Sequence, residues 1–224
     1  MQTETRLLFI RHGRTQANQS GTLQGQLDTQ LDSLGVEQAR ALAIALRRRR
    51  DAQSSHRRQL VCYASDLQRA MRTAELVADE LGLPRVEPLA AMRERNLGRF
   101  QGLTERQARE AFPEDWDDFC RGVKVPGVET SRELAARAAA ALELVVTAHI
   151  GATILVFSHG GTIHAAVSRL VANVRVPPIG NCSVTELVCD DGGWRANAIG
   201  DLSHLPAELI DGGATVGWAS RNVD

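Results

Sequence analysis

The sequence predicts an α/β fold, a three-layer αβα sandwich around a largely parallel sheet. Short apolar runs at residues 7–10, 60–64 and 153–157 read as buried strands, and they alternate with stretches of helical periodicity. Each run ends in a polar junction that leads into a helix. The 224 residues are 43% hydrophobic but only 4% aromatic, so the core must be built from Leu, Val, Ile and Ala.

Leu7, Leu8, Phe9 and Ile10 form the first strand, which runs into Arg11-His12-Gly13. Val36, Ala39, Ala43 and Leu46 recur on one face and predict a helix ending in Arg47 to Arg50. Residues 51–59 are polar and read as an exposed connection before the second strand at 60–64. Leu67, Ala70, Met71, Ala74, Val77, Ala78 and Leu81 predict a helix capped by Asp66 and stopped by Gly82 and Pro84. Thr104 with Gln107, and Thr130 with Glu133, are capping boxes. The second opens an Ala-rich helix to about Thr147. The third strong strand, 153–157, leads into Ser158-His159-Gly160-Gly161 and a helix through Val171. Residues 183–189 and 194–199, around Asp191-Gly192-Gly193, predict a hairpin. There is no internal repeat and no dividing linker. The expected organisation is one domain, residues 1–224, with a lid-like insertion at about 91–130. Phe112, Trp116 and Phe119 lie roughly on one helical face, where packing the insertion onto the core is preferred to lining a pocket.

Net charge is -1, so no global basic field invites nucleic acid or an anionic membrane. Of 26 basic residues only Lys124 is a lysine, and the arginines spread over helix faces and loops. Their number therefore argues for nothing; only position can. The Arg-rich stretch 47–58 lacks interleaved aromatics and reads as a solvated helix end rather than a nucleic-acid patch. Cys62, Cys120, Cys182 and Cys189 show no CxxC pair or metal spacing, which fits free thiols in a reducing compartment. No window approaches ~18 apolar residues, so no membrane span is expected. The expectation is a soluble, cytoplasmic protein.

Three strand-to-helix junctions carry unusual polar residues: Arg11 and His12, then Arg69, then His159 with two glycines. In an open α/β sheet the loops leaving the carboxyl ends of strands share one edge, where ligands bind. Alone, each residue has a plainer reading: a histidine satisfied by backbone, a helix-surface arginine, a solvated Glu94, a tight turn at Gly160-Gly161. Together they cluster cations beside imidazoles, a costly arrangement unless an anion is bound. Helix N-termini near Asp66 and Gly160 add N–H donors suited to one. Phosphoryl transfer needs this set, because arginine forks neutralise equatorial oxygens and cannot lose their charge. A neutral imidazole supplies the nucleophile, its pKa lowered by nearby cations, and a carboxyl group protonates the leaving oxygen.

Arg11-His12-Gly13-Arg14-Thr15 with Asn18 resembles the signature of the histidine phosphatase superfamily, in its phosphoglycerate-mutase-like branch. The likeness continues at Ser65-Asp66-Leu67-Gln68-Arg69-Ala70 with Thr73-Ala74, and at Arg93-Glu94 through Gly98, Phe100 and Gly102. It goes on at Pro126-Gly127 with Glu129, at Ser158-His159-Gly160-Gly161, and at residues 201–205. The resemblance implies that His12 becomes a transient phosphohistidine. Arg11 and Arg69 would grip the phosphoryl oxygens, and His159 would donate to the same group. Glu94 would protonate the departing oxygen and then activate water. Asn18, Gln24, Gly25 and Gly160 match positions that line the pocket. No cofactor and no metal is implied. The chain departs from the pattern in carrying Arg14 where many relatives have Glu or Gln, and Gly127-Val128-Glu129 where they have Gly-Gly-Glu.

The implied partner is a small phosphorylated metabolite, and the implied reaction is metal-independent phosphomonoester hydrolysis. The alternative is mutase-type transfer between hydroxyls of one substrate. The family's glycolytic mutases carry a longer insertion with paired arginines and a Pro-rich run, whereas 64 residues containing neither feature separate Glu94 from His159 here. A non-catalytic phosphate sensor would keep the pocket and release no phosphate. Zinc chemistry is disfavoured because His159 and His164 stand at i, i+5 with no completing ligand. Walker, dinucleotide and Gly-x-Ser-x-Gly motifs are absent.

Overall fold

Strand β1 (Thr5–Arg11) shows how the sheet is built. Its side chains alternate across the sheet. Leu7 and Phe9 enter one apolar cluster, while Leu8 and Ile10 enter another on the opposite face. Both faces are buried, which is why the strand reads as an unbroken apolar run. The computed structural model describes residues 4–52 and 58–211. In it β2 (Leu60–Ala64) and β4 (Thr153–Ser158) contribute to both clusters in the same way. The sheet is completed by the two-residue β3 (Glu87–Pro88), β5 (Val184–Asp190) and β6 (Gly193–Asp201).

The strand order is β3-β2-β4-β1-β5-β6. The first four are mutually parallel, and β5 and β6 form the predicted antiparallel hairpin at one edge. Helices α2 (Ser33–Ala52) and α3 (Gln68–Leu81) cover one face, placing Leu42, Leu46 and Val77 against Leu155 and Phe157. Helices α6 (Ser131–Ala148) and α7 (Gly160–Leu170) cover the other, placing Leu142, Ile163 and Val167 against Ile154 and Val156. This is the expected three-layer sandwich. Burying each such side chain stabilises the fold by roughly 1.5–3 kcal/mol. A short helix α1 (Gln16–Ser20) follows β1, and α4 (Glu105–Ala111) and α5 (Pro113–Cys120) lie between α3 and α6.

Three expectations need correction. Asp66 does not cap α3: the helix starts at Gln68 with Leu67 in the cap position and no side-chain cap. The Asp66 carboxylate instead takes both arms of Arg93, at 2.7 and 2.6 Å, a charge-assisted pair stronger than a bond to a neutral N–H. Second, helix α2 runs past its predicted end at Arg47–Arg50 to Ala52, taking in the first two residues of the predicted connection. Arg47 pairs with Glu80 at 2.9 Å, Arg49 with Glu186 at 2.6 Å, and Arg50 donates to the Leu81 carbonyl at 2.6 Å. Residues 53–57 of the predicted connection lie outside the described residues.

Third, Phe112, Trp116 and Phe119 do not share a helical face. Pro113 cannot continue α4, so the chain breaks at Phe112 and α5 starts anew. The rings of Phe100, Trp116 and Phe119 pack with centroids 5.3–5.4 Å apart. With Leu23, Leu97 and Val128 they form a small core separate from the two sheet clusters. Both capping boxes are present as predicted, at Thr104–Gln107 and Thr130–Glu133. Among the described residues no helix is long and apolar enough to cross a membrane.

Candidate active site

Because β4 lies between β1 and β2, the three polar junctions emerge side by side at the carboxyl edge of the sheet. In register, Arg11 stands opposite Ser158. The next residue on each strand is therefore a histidine beside a histidine, and the His12 and His159 rings sit 5.1 Å apart. The His12 N–H continues the ladder to the Ser158 carbonyl at 3.0 Å. Sheet register alone brings the two imidazoles together.

The hydrogen bonds fix both tautomers. His12 Nδ1 lies 2.7 Å from the Gly13 carbonyl, which can only accept, so Nδ1 carries the proton and Nε2 keeps its lone pair. Arg69 Nε donates to His159 Nδ1 at 3.2 Å, so the His159 proton is on Nε2, where it is shared with Ser65 Oγ at 2.8 Å. Both rings are held well below the usual imidazole pKa. Burial is the largest cause, with Arg69 and Arg11 adding to it. Both are neutral at neutral pH.

Arg11 and Arg69 are 8% and 1% exposed. Among the described residues neither makes an ion pair, although Glu94 is near enough to favour the charged state of both. Arg69 holds the loop after α1 from below, donating from Nη2 to Gly25 O at 2.8 Å and from Nη1 to Leu27 O at 2.7 Å. Burial lowers its pKa to about 10, which leaves it charged at neutral pH. Arg11 donates from Nη1 to the Ile179 carbonyl, and its buried Nε has no partner. Two buried cations with no salt-bridge partner among the described residues, one with an unsatisfied donor, make a site that an anion would complete.

Glu94 lies on irregular backbone between two 3-10 turns, Ala90–Met92 and Gly98–Phe100. Its carboxylate reaches the first turn of α7, accepting from Gly161 N at 3.0 Å, Thr162 Oγ1 at 3.2 Å and Arg95 N at 2.9 Å. Gly161 permits this approach, because a Cβ there would come within 2.6 Å of Glu94 Oε1. Gly160, predicted to line the pocket, lies against the Arg11 guanidinium.

Of the remaining predicted residues, Asn18 lies in α1, and Gln24 and Gly25 sit on the loop that Arg69 holds. Asn18 Oδ1 accepts from Thr15 and Gln24 Oε1 from Thr15 and Thr29, which commits the acceptor ends and leaves the two amide nitrogens as donors. Gly25 has φ +52°, a left-handed conformation that glycine adopts without strain. Both His159 nitrogens are engaged within the protein, so donation to a ligand from this ring requires exchange of the Ser65 contact. Ser65, Thr162 and Asn181 were given no role from sequence. Asn181 Nδ2 donates to the His12 carbonyl at 2.9 Å. Of the three, only Ser65 lies inside a recognised motif. Among the described residues no group of three or more His, Cys, Asp or Glu side chains could hold a metal ion.

The profile of the histidine phosphatase superfamily (branch 1) matches residues 7–202. The chain belongs to that superfamily. A metal-independent phosphoserine phosphatase of Arabidopsis thaliana is 31% identical to this superfamily member, over 98% of this chain and 88% of that protein. Phosphoglycerate mutase-like protein 4 of the same plant is 35% identical over 89% of this chain and 86% of its own. The native structure of a mycobacterial glucosyl-3-phosphoglycerate phosphatase superposes with a TM-score of 0.74 at 29% identity, covering 88% of this chain and 99% of that one. The superfamily's enzymes named as phosphatases and as mutases thus share this architecture.

Proposed function

We propose that the protein is a metal-independent phosphomonoesterase working through a phosphohistidine at His12, on a small phosphorylated metabolite. The observation that carries this is the free Nε2 lone pair of a neutral, buried His12 beside two guanidiniums that lack ion-pair partners among the described residues. His12 Nε2 attacks phosphorus, and the bond from phosphorus to the ester oxygen breaks. Glu94 in its acid form gives its proton to that oxygen, so the alcohol leaves neutral. The resulting carboxylate then takes a proton from water, whose oxygen attacks phosphorus. His12 departs, leaving inorganic phosphate and Glu94 again protonated. Arg11 and Arg69 neutralise the equatorial oxygens throughout, with His159 as a further donor. Asn18, Gln24, Gly25 and Gly160 line the phosphoryl pocket.

Residues 1–224 act as one catalytic unit, with segment 91–130 walling the leaving-group side. The ion pairs of that segment favour hydrolysis over retention of a bisphosphorylated intermediate. Arg99, Arg106, Arg109, Arg121 and Lys124 are paired with Asp115, Glu110, Glu105, Asp118 and Glu133 respectively. Of the segment's two other arginines, Arg93 pairs with Asp66, and Arg95 is buried over the Phe119 ring, donating to the Glu129 carbonyl. The test is phosphate release from a panel of phosphomonoesters in EDTA, beside the His12→Ala variant. Phosphoserine, sugar phosphates and phosphoglycerate derivatives belong in the panel. Release that requires His12 and tolerates chelation is expected. Isomerisation of phosphoglycerates without release would instead establish the mutase.

A further inference from the structure

Glu94 differs from the other proposed catalytic groups in what holds its backbone. Arg11 ends a strand, His12 and His159 directly follow strands, and Arg69 lies in the first turn of a helix. Glu94 stands on a stretch without regular structure, so no strand ladder or helix fixes its Cα. The contacts from Gly161, Thr162 and Arg95 orient the carboxylate head, while the main chain that carries it is met at single points by Thr162 Oγ1, donating to the Arg93 carbonyl at 2.9 Å, and by Gln26 Nε2, donating to the Glu94 carbonyl at 3.1 Å.

The anchor that spans two of its carbonyls comes from α6. Arg137 donates from Nη1 to the Ala91 carbonyl at 2.7 Å and from Nη2 to the Glu94 carbonyl at 3.1 Å. The same guanidinium is gripped on its other side by Glu129, at 2.6 Å from Nε and 2.9 Å from Nη2. Glu129 is itself tied to the Glu94 segment, since its N–H donates to Asn96 O at 2.8 Å and its Oε2 accepts from Asn96 N at 3.0 Å. The pair is partly buried, with side-chain exposures of 26% and 14%. Bidentate pairing fixes the plane of the fork, so both carbonyls are met at a set angle. Glu129 is one of the motif residues of the sequence, and the chemistry proposed above gives it no task.

We infer that Arg137, oriented by Glu129, is a positioning residue for the leaving-group acid, holding the Glu94 main chain at the reach needed to protonate the ester oxygen. The inference rests on the proposed role of Glu94 and deepens it. Arg137 touches no reacting atom. Loss of its grip lets the carboxyl drift, and a misplacement of about 1 Å costs on the order of 10²-fold when the group matters to the step. The cost must therefore depend on the ester. An alkyl oxygen needs a proton as it departs, whereas a nitrophenolate leaves nearly unaided. A merely structural role would lower both reactions together.

The experiment compares kcat/KM for p-nitrophenyl phosphate with kcat/KM for the fastest alkyl ester of the panel, using the full chain. Wild type, Arg137→Gln, Arg137→Lys, Glu94→Gln and the Glu94→Gln/Arg137→Gln double variant are measured, each checked for folding by thermal melt. Arg137→Gln should lower the alkyl-to-aryl ratio about tenfold. Arg137→Lys keeps the charge but cannot span two carbonyls and a carboxylate, so it should lower the ratio by a smaller factor. On the Glu94→Gln background the Arg137 change should leave the ratio where Glu94→Gln put it. An unchanged ratio in either folded Arg137 variant, or a further fall in the double variant, overturns the inference. If Glu94→Gln alone leaves the ratio unchanged, the acid role itself falls and the inference falls with it. If Glu94→Gln lowers the ratio and neither Arg137 variant does, only the positioning role is lost.

Discussion

At the carboxyl edge of the sheet, Arg11, His12, Arg69 and His159 are between 0% and 8% exposed, and much of their bonding is to backbone carbonyls such as Gly13, Gly25, Leu27 and Ile179. Segment 98–124 inverts that arrangement. Its interior is aromatic, built on Phe100, Trp116 and Phe119, and its charged side chains pair with one another at the surface. Backbone partners at the edge mean that sheet register sets the position of each functional atom. In the insertion, ring shape and the break at Pro113 set position, and the fold of the sheet has little say. The two regions meet where Gln101 Oε1 accepts from Gln26 N at 2.7 Å and Leu23 N donates to Leu103 O at 2.8 Å. The insertion is thereby stitched to the loop that Arg69 holds. The contrast implies that changes at the edge act on chemistry, and changes in the insertion act on stability and substrate fit.

The sharpest way to break this contrast is at His12. His12→Ala should reduce phosphate release by more than about 10³-fold, as removal of a covalent nucleophile does, while the melting transition stays close to wild type. Residual activity within about tenfold of wild type would sink the nucleophile assignment. Glu94→Gln comes next. General acid catalysis contributes about 10²–10⁴-fold, so alkyl esters should lose on that order and p-nitrophenyl phosphate much less. Equal losses on both would remove the acid from its role.

Gly161→Ala is a smaller and more local blow. The new methyl would stand 2.6 Å from Glu94 Oε1, so either the carboxylate or the start of α7 must move. Activity on alkyl esters should drop about ten- to a hundredfold, within what misplacement of a reacting group costs. Circular dichroism should stay unchanged. A fully active Gly161→Ala enzyme would mean that the carboxylate need not sit against α7.

The acid limb of kcat/KM tests the electrostatics of the edge. The His12 pKa is held well below the usual imidazole value of 6.5, by burial first and then by Arg69 and Arg11, so the ring is neutral. The limb that reports it should therefore lie below 6.5 and move upward in Arg11→Gln, because one cation opposing protonation is gone. A limb at or above 6.5 in the wild type would mean that His12 is not the free base assumed here. Stability carries the same sign. In the unfolded chain both imidazoles take up protons below about 6.5, while the folded rings stay neutral, so unfolding is favoured as pH falls.

How much of this was legible in the sequence follows the same divide. Strands buried on both faces announce themselves as apolar runs, and the residues just past them fall at one edge by topology, so Arg11, His12, Arg69 and His159 could be placed together without coordinates. Glu94 was found only through its motif, since irregular backbone leaves no period to read. Ser65 and Asn181 escaped because each reaches the histidines through a hydrogen bond made across more than ninety residues of chain. Asp66 was misread as a cap because the competing partner, Arg93, is 27 residues away, and local rules cannot weigh it. The aromatic cluster was misread for another reason: Pro113 resets the helical phase, so spacing across it carries no facial information.

Trp116→Ala should have the smallest effect on chemistry and so gives the contrast its most demanding check. The ring is 1% exposed and packs edge-on to Phe100, so its removal should cost about 3–5 kcal/mol. The lower end is expected, because the buried Nε1 has no partner among the described residues and its loss relieves roughly 1–3 kcal/mol of unpaired-donor cost. Trp116→Phe should then cost less than the volume it removes suggests. If the insertion acts on fit alone, KM for bulky esters should rise while kcat for p-nitrophenyl phosphate stays within about threefold of wild type at temperatures where the variant is folded. A large fall in that kcat would show that the Gln101–Gln26 and Leu103–Leu23 stitches carry the disturbance into the phosphoryl loop. The two regions would then have to be treated as one mechanical unit.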